Sequence, residues 1–210
     1  MKPAITLYAL LLLFGCKPKS IALEQLKEKE GSYFYKEAPY SGVAISKNEK
    51  GGVLLQNQYT NGMLDGESRE YYPNGNLKDQ KFYKEGKIHG KRSEYYESGK
   101  LRKTMNYQHD LFEGELLVYY ENGQLMMKGY YKNGKEDGAW EYLKDNGAFR
   151  KKIYYASGQP EGNWQYFDEN GKLKSSIEFK NGKKDGLWAE YDSTGKKTHE
   201  ARYLQDSLIN

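Results

Sequence analysis

The sequence predicts an all-β protein, an elongated single-layer antiparallel meander of about seven β-hairpin repeats of 24 residues each. Three observations predict it. The first is an unbroken period. An aromatic recurs at Tyr35, Tyr59, Tyr83, Tyr107, Tyr131, Tyr155, Phe179 and Tyr203, and a glycine follows seven places later at Gly42, Gly66, Gly90, Gly114, Gly138, Gly162 and Gly186. A fixed period of this length marks an array in which each unit buries its apolar face against its neighbours. The second is turn chemistry, with Asn-Gly or a relative standing between runs of strand length. The third is composition: 23 Gly and 21 Tyr among 210 residues. Two or three glycines per repeat disfavour helix, since each costs up to about 1 kcal/mol in a helix interior.

Taken in chain order, residues 1–15 have the pattern of a signal peptide. Lys2 is the only charge before the mostly apolar run Ala4 to Phe14, which ends at Gly15-Cys16. A transmembrane helix needs roughly 18–20 apolar residues, and Lys17 and Lys19 end this run too early. Leu13-Phe14-Gly15-Cys16 resembles a bacterial lipoprotein lipobox, which implies lipidation of Cys16. Cys16 is the only cysteine, so intrachain disulfides and cysteine metal clusters are excluded. Residues 16–34 are expected to be the lipidated N-terminus and a tether, with a short helix where Ile21, Leu23 and Leu26 fall. The array then fills 35–210, seven units over 35–202 and a partial eighth.

Unit six, Tyr155 to Glu178, shows how a repeat should fold. Asn163 to Phe167 is aromatic-rich, as strands prefer. Asn170-Gly171 follows, a hairpin signal because both residue types tolerate positive φ. Lys172 to Phe179 then alternates, with Leu173, Ile177 and Phe179 against Lys172, Lys174 and Ser176, the period of a half-buried strand. Lys180-Asn181-Gly182-Lys183 reverses the chain again. Seven hairpins make about fourteen strands, with no helical layer to cover them. Large rings lying on the sheet are expected to take that role. Trp140, Trp164 and Trp188 form one column; Tyr71, Tyr95, Tyr119, Leu143, Phe167 and Tyr191 form another of opposite parity. The two should point to opposite faces unless a bulge intervenes.

The string Tyr-Lys-Asn-Gly-Lys-x-Asp-Gly-x-Trp, at Tyr131 to Trp140 and with Phe first at Phe179 to Trp188, resembles the MORN repeat in the variant form common in bacterial proteins. The resemblance covers residues 35–203 and implies an elongated antiparallel sheet of hairpins. Bacterial proteins built of this variant often carry a YwqK-type antitoxin label, which implies a neutralising role. The first unit departs most: Ala38-Pro39-Tyr40-Ser41 replaces the turn and Lys47 the usual aromatic, as in an N-terminal cap.

Three sets of residues bear on chemistry. Ser41, Asp65, His89, Glu113, Asp137, Glu161 and Asp185 precede the glycine column. Equivalent positions lie two strands, roughly 9.5 Å, apart, too far for neighbours to share one Ca²⁺ or Zn²⁺. Turn solvation is their expected role. His89, His109 and His199 occupy three different columns and form no recurring constellation. No nucleophile elbow, phosphate loop or dinucleotide fingerprint is present, so the sequence names no catalytic residue, metal site or cofactor. The third set is a basic stripe, Lys78, Arg102, Arg150 and Lys174, interrupted by Leu54, Met126 and Thr198. Alternation would put it on the more solvated face, either for an anionic partner or as plain solvation, which we prefer. Stacking of sugars on exposed tyrosines and tryptophans is a third option.

The chain has 33 Lys and Arg against 29 Asp and Glu, a balance that argues against nucleic acid. The expected protein is an exported lipoprotein, held at the membrane through its N-terminal lipid and facing the periplasm from the outer membrane. Its array is a non-catalytic binding platform for a protein or envelope partner. The alternative is an antitoxin or periplasmic immunity protein that neutralises a toxin.

Overall fold

The computed structural model describes residues 20–209. The expected signal peptide over 1–15 and Cys16 lie outside the described residues. Seven first strands, Gly42–Lys47, Met63–Tyr71, Gly90–Tyr95, Gly114–Tyr119, Gly138–Leu143, Gly162–Phe167 and Lys183–Tyr191, alternate with seven second strands, Val53–Thr60, Leu77–Lys84, Leu101–Gln108, Leu125–Lys132, Phe149–Ala156, Leu173–Lys180 and Lys197–Leu204. Each first strand pairs antiparallel with the second strand of its own repeat, as Gly138 to Leu143 does with Tyr155 to Phe149. Each second strand except the last also pairs with the first strand of the next repeat, as Lys151 and Lys152 do with Tyr166 and Gln165. Strand order along the sheet therefore follows chain order, and the sheet is all-β, long and open.

The two turns of each repeat differ, which corrects the expectation for Asn-Gly. Between repeats the chain turns on two consecutive residues of positive φ, such as Asn181 at 52° and Gly182 at 83°, or His109 at 50° and Asp110 at 67°. That is the type I′ geometry whose twist matches the strands it joins. Within a repeat only the glycine is left-handed, as Gly75 is at 89°. The Tyr72 N–H donates to the Asn76 carbonyl at 2.8 Å and the Gly75 N–H to the Tyr72 carbonyl at 2.9 Å, a tight turn closed by a left-handed glycine. Here the asparagine acts through its side chain: Asn74 Oδ1 accepts the Asn76 N–H at 2.9 Å.

Each second strand also carries one extra residue near its start. Tyr142 faces Lys151 and Leu143 faces Phe149, leaving Arg150 as a bulge. The same shift recurs at Lys78, Arg102 and Lys174. A bulge turns its extra side chain toward the face of its neighbour, so the basic column is the bulge column.

Alternation from these registers separates two faces. Trp140, Ile153, Trp164 and Ile177 lie on one, and Leu143, Phe149, Phe167 and Leu173 on the other. The tryptophan face is the more buried. Met105, Tyr107, Leu116, Trp140 and Ile153 form its core, with Tyr131, Tyr155 and Trp164 packed against them. Rings run along it as a ladder: Tyr107–Phe112 at 4.9 Å, Phe112–Tyr131 at 4.9 Å, Tyr131–Trp140 at 5.1 Å, Trp140–Tyr155 at 6.2 Å, Tyr155–Trp164 at 5.4 Å and Trp164–Phe179 at 4.6 Å. This ladder takes the place of a second layer, because rings at such spacings both exclude water and attract one another.

The N-terminal end is built differently from the tether expected over 16–34. From Ile21 the chain is folded. Ile21–Ala22 adds in parallel to Gly42–Lys47, Leu23–Gln25 makes one 3₁₀ turn, and Lys27–Lys29, Ser32–Tyr35 and Ala38–Pro39 form a three-stranded sheet. Ile21, Leu23, Leu26, Tyr33 and Tyr35 pack around buried Tyr40, Ala44 and Tyr59. The physical reason is the exposed first edge of the array: its apolar groups and unpaired backbone need cover, and these residues supply it.

Candidate binding surface

The long borders of the sheet are stitched between repeats by side chains and turn amides. On one border, the Tyr72, Tyr96 and Tyr120 hydroxyls donate to the carbonyls of Tyr95 at 2.8 Å, Tyr119 at 2.7 Å and Leu143 at 2.9 Å. Lys144 takes the next place and reaches the Asp168 carbonyl at 2.7 Å. On the other border, turn amides donate one repeat back, as Gly134 does to Phe112 at 2.9 Å and Gly158 to Glu136 at 2.7 Å. The tyrosine column follows the second aromatic column by one residue, a spacing visible in the sequence although its partners were not.

The column before the glycines has a specific role at that second border. Glu113 Oε2 accepts the Asn133 N–H at 2.7 Å, Asp137 Oδ1 the Ser157 N–H at 3.1 Å, and Glu161 Oε2 the Asn181 N–H at 2.8 Å. Ser41 Oγ does the same for Asn61 at 2.8 Å. Each caps the left-handed turn residue of the next repeat, so the expected turn solvation is an inter-repeat tie. His89 occupies this column and meets the turn residue His109, their ring centroids 5.3 Å apart. Two histidines from different columns thus come together once, because this column faces the next repeat's turn. His199 Nδ1 lies 3.6 Å from Glu190 Oε2. Among the described residues, no three His, Cys, Asp or Glu side chains converge as metal ligands would.

The ladder face changes character toward the N-terminus. Asp79 and Glu94 are buried, face each other across adjacent strands and are held by cations. Arg92 Nε donates to Asp79 Oδ2 at 2.7 Å and Arg92 approaches Glu94 at 3.4 Å; Lys81 lies 3.7 Å from Asp79. Lys103 sits on the same row, and burial first, then the Arg92 and Arg102 charges, lower its pKa. Next to this network, Leu55, Asn57, Ser68, Glu70, Lys81 and Tyr83 line a shallow groove of about 620 Å³.

Three members of the basic stripe, Lys78, Arg102 and Arg150, engage this face, not the more solvated one. Lys78 pairs with Glu70, and Arg102 with Glu94. The Arg150 guanidinium sits 5.7 Å from the Tyr142 ring centre, and Lys151 lies 4.1 Å from it. The bulge is the reason: strict alternation would have sent these residues to the other side. Lys174 borders a separate recess beside Phe167, Leu173 and Tyr191. Three of the four cations are therefore engaged within the sheet and do not form one free stripe.

The opposite face carries exposed rings. Phe82, Tyr130 and Tyr154 are 40%, 44% and 39% exposed and stand in one column with Asn106 between the first two. These rings do not serve as the expected covering layer, because their side chains start from the face without the ladder. In the same column, Gln58 Oε1 accepts the Glu67 N–H and Glu178 Oε2 the Leu187 N–H, at 2.9 and 2.8 Å.

No curated protein matches this chain. Residues 64–85, 88–109, 112–133 and 160–181 match the family model of the MORN repeat variant. Each matched stretch starts two residues past one between-repeat turn and ends on the first left-handed residue of the next, and the unmatched units repeat the same hairpin geometry. The chain carries MORN-variant repeats at four places in its array.

Proposed function

We propose that this protein is a non-catalytic binding platform, exported and anchored at the cell envelope by a lipid on Cys16, with the array facing the periplasm from the outer membrane. The observation that carries the platform reading is the unbroken register. From residue 35 to 203 no insertion interrupts the repeat, and side chains and turns lock each hairpin to the next. Such a sheet is a stiff, extended surface, the form repeat arrays use for binding. Ile21 is already folded into the cap, so four residues separate it from Cys16. At about 3.5 Å per extended residue, the array would be held within roughly 18 Å of the lipid-bearing residue. Stable anchoring takes more than one acyl chain, as bacterial lipoproteins supply.

Radiolabelled palmitate incorporation tests the anchor: the full chain takes up label and Cys16→Ser loses it, whereas label retained by Cys16→Ser refutes lipidation at that residue. Crosslinking of the full chain in intact cells tests the platform. A defined envelope partner, lost when surface residues of the array are replaced, supports it. Capture of a toxin encoded beside this chain would instead favour an immunity role.

A further inference from the structure

We infer that the face opposite the aromatic ladder binds a neutral β-1,4-linked glycan chain, laid across the strands with its pyranose rings on Tyr130 and Tyr154. The inference rests on the platform reading and names the chemistry of one partner.

Both tyrosines project from the same face, Tyr130 opposite Glu115 and Tyr154 opposite Ala139. They hold the same place in successive repeats, two strands or roughly 9.5 Å apart. Two β-1,4-linked pyranoses advance by nearly the same length, so alternate sugars of one chain meet successive rings in the same orientation. The C–H face of a pyranose complements the negative face of an aromatic ring, while the tyrosine hydroxyl stays available for hydrogen bonding. Between the rings the floor is low. Gly138 and Ala139 are exposed, and a Cβ at Gly138 would meet nothing within 4 Å. Tyr154 leans over Gly162, whose Cβ position lies 3.8 Å from its own Cβ.

The charges beside the rings are matched. Lys128 pairs with Glu115 at 2.9 Å and Lys152 with Glu141 at 3.6 Å. With these two cations each paired to an anion, they present donors and acceptors to hydroxyls, which suits a neutral polyhydroxylated chain better than a phosphate headgroup or an acidic protein. Farther along, Asn106 and Phe82 extend the row with an amide and a third exposed ring. Gln58 and Glu178 flank it on either side, both already bonded to backbone amides, and exposed Arg202 follows Glu178 in the same column.

Isothermal titration calorimetry of the full chain with cellohexaose and chitohexaose tests the inference, with α-1,4-linked maltohexaose as the mismatched control. Both β-linked hexasaccharides should bind, Tyr130→Ala and Tyr154→Ala should each weaken binding about tenfold, and the Tyr→Phe variants should stay within about twofold. Circular dichroism confirms that each variant folds. Absence of binding at millimolar sugar, equal binding of maltohexaose, or unchanged binding by both alanine variants would overturn it. A chain that crosslinks to an envelope protein yet binds no β-linked sugar refutes the glycan inference alone; one that does neither refutes the platform as well.

Discussion

Gly129 is the place where a single methyl group should do most damage. It lies under the Trp140 indole on the neighbouring strand, and a Cβ there would come within 2.5 Å of indole Cδ2 and Cε3. Carbon atoms pack best at about 3.5–4.0 Å, so the ring or the strand must move by about 1 Å. Trp140 has little room to yield: it is 4% exposed, with Tyr131 edge-on at 5.1 Å and Tyr155 edge-on at 6.2 Å. Gly129 is not in the left-handed region, so no backbone cost contributes and the whole effect is steric. Overpacking of this kind costs about 1–3 kcal/mol, and the upper half of that range is expected for Gly129→Ala. For a chain of this size that corresponds to a fall in Tm of roughly 4–12 °C. Urea unfolding followed by circular dichroism measures it. Gly138→Ala is the contrast, since its φ is 74° and its surroundings are open; it should cost only the left-handed backbone, about 1–2 kcal/mol. Combining Gly129→Ala with Trp140→Leu should destabilise by less than the sum of the two, because the second change removes the clash. A Gly129→Ala protein within about 0.5 kcal/mol of wild type, or strict additivity with Trp140→Leu, would refute the reasoning.

Three further outcomes are expected. Asp79→Ala strips the central carboxylate from Arg92 and Lys81 on the ladder face and should cost about 2–3 kcal/mol in urea unfolding; a loss below about 0.5 kcal/mol would mean that water already screens the network. Glu113→Ala removes the acceptor for the Asn133 amide and should cost about 0.5–1.5 kcal/mol, with faster hydrogen exchange at Asn133 itself and unchanged exchange there as the contrary result. Burial raises the pKa of Tyr40, Tyr59, Tyr131, Tyr142, Tyr155 and Tyr166. A raised folded pKa means full stability below the unfolded value near 10 and loss above it, as the unfolded chain releases protons first. Lys103 and Lys151, whose pKa values burial lowers, act in the opposite direction but are outnumbered. Stability should therefore fall as pH rises past about 10, and a flat unfolding midpoint between neutral pH and pH 11 would contradict it.

Much of the fold was legible because the period is strict. Strand positions, both turns of each repeat and the opposite faces of the two aromatic columns all follow from residue types repeated at one spacing. The candidate surface was less legible. The basic column at Lys78, Arg102 and Arg150 lies on the face opposite to the one alternation predicts, because a bulge adds a residue that alternation does not count. His89 and His109 were separated by column yet meet in space, since the carboxylate column of one repeat abuts the turn of the next. The cap from Ile21 onward has no repeat register, so its packing on Tyr40 and Tyr59 left no periodic trace.

By itself the sequence determined the 24-residue hairpin array and its open, antiparallel order, because glycine, asparagine and aromatic preferences are local and recur in every unit. Only the tertiary structure decided which face is covered. Burial depends on which rings find partners across strands: Trp140 lies over Gly129 within a ladder of rings, while Tyr130 and Tyr154, two strands apart on the other face, have no such ladder and stay exposed.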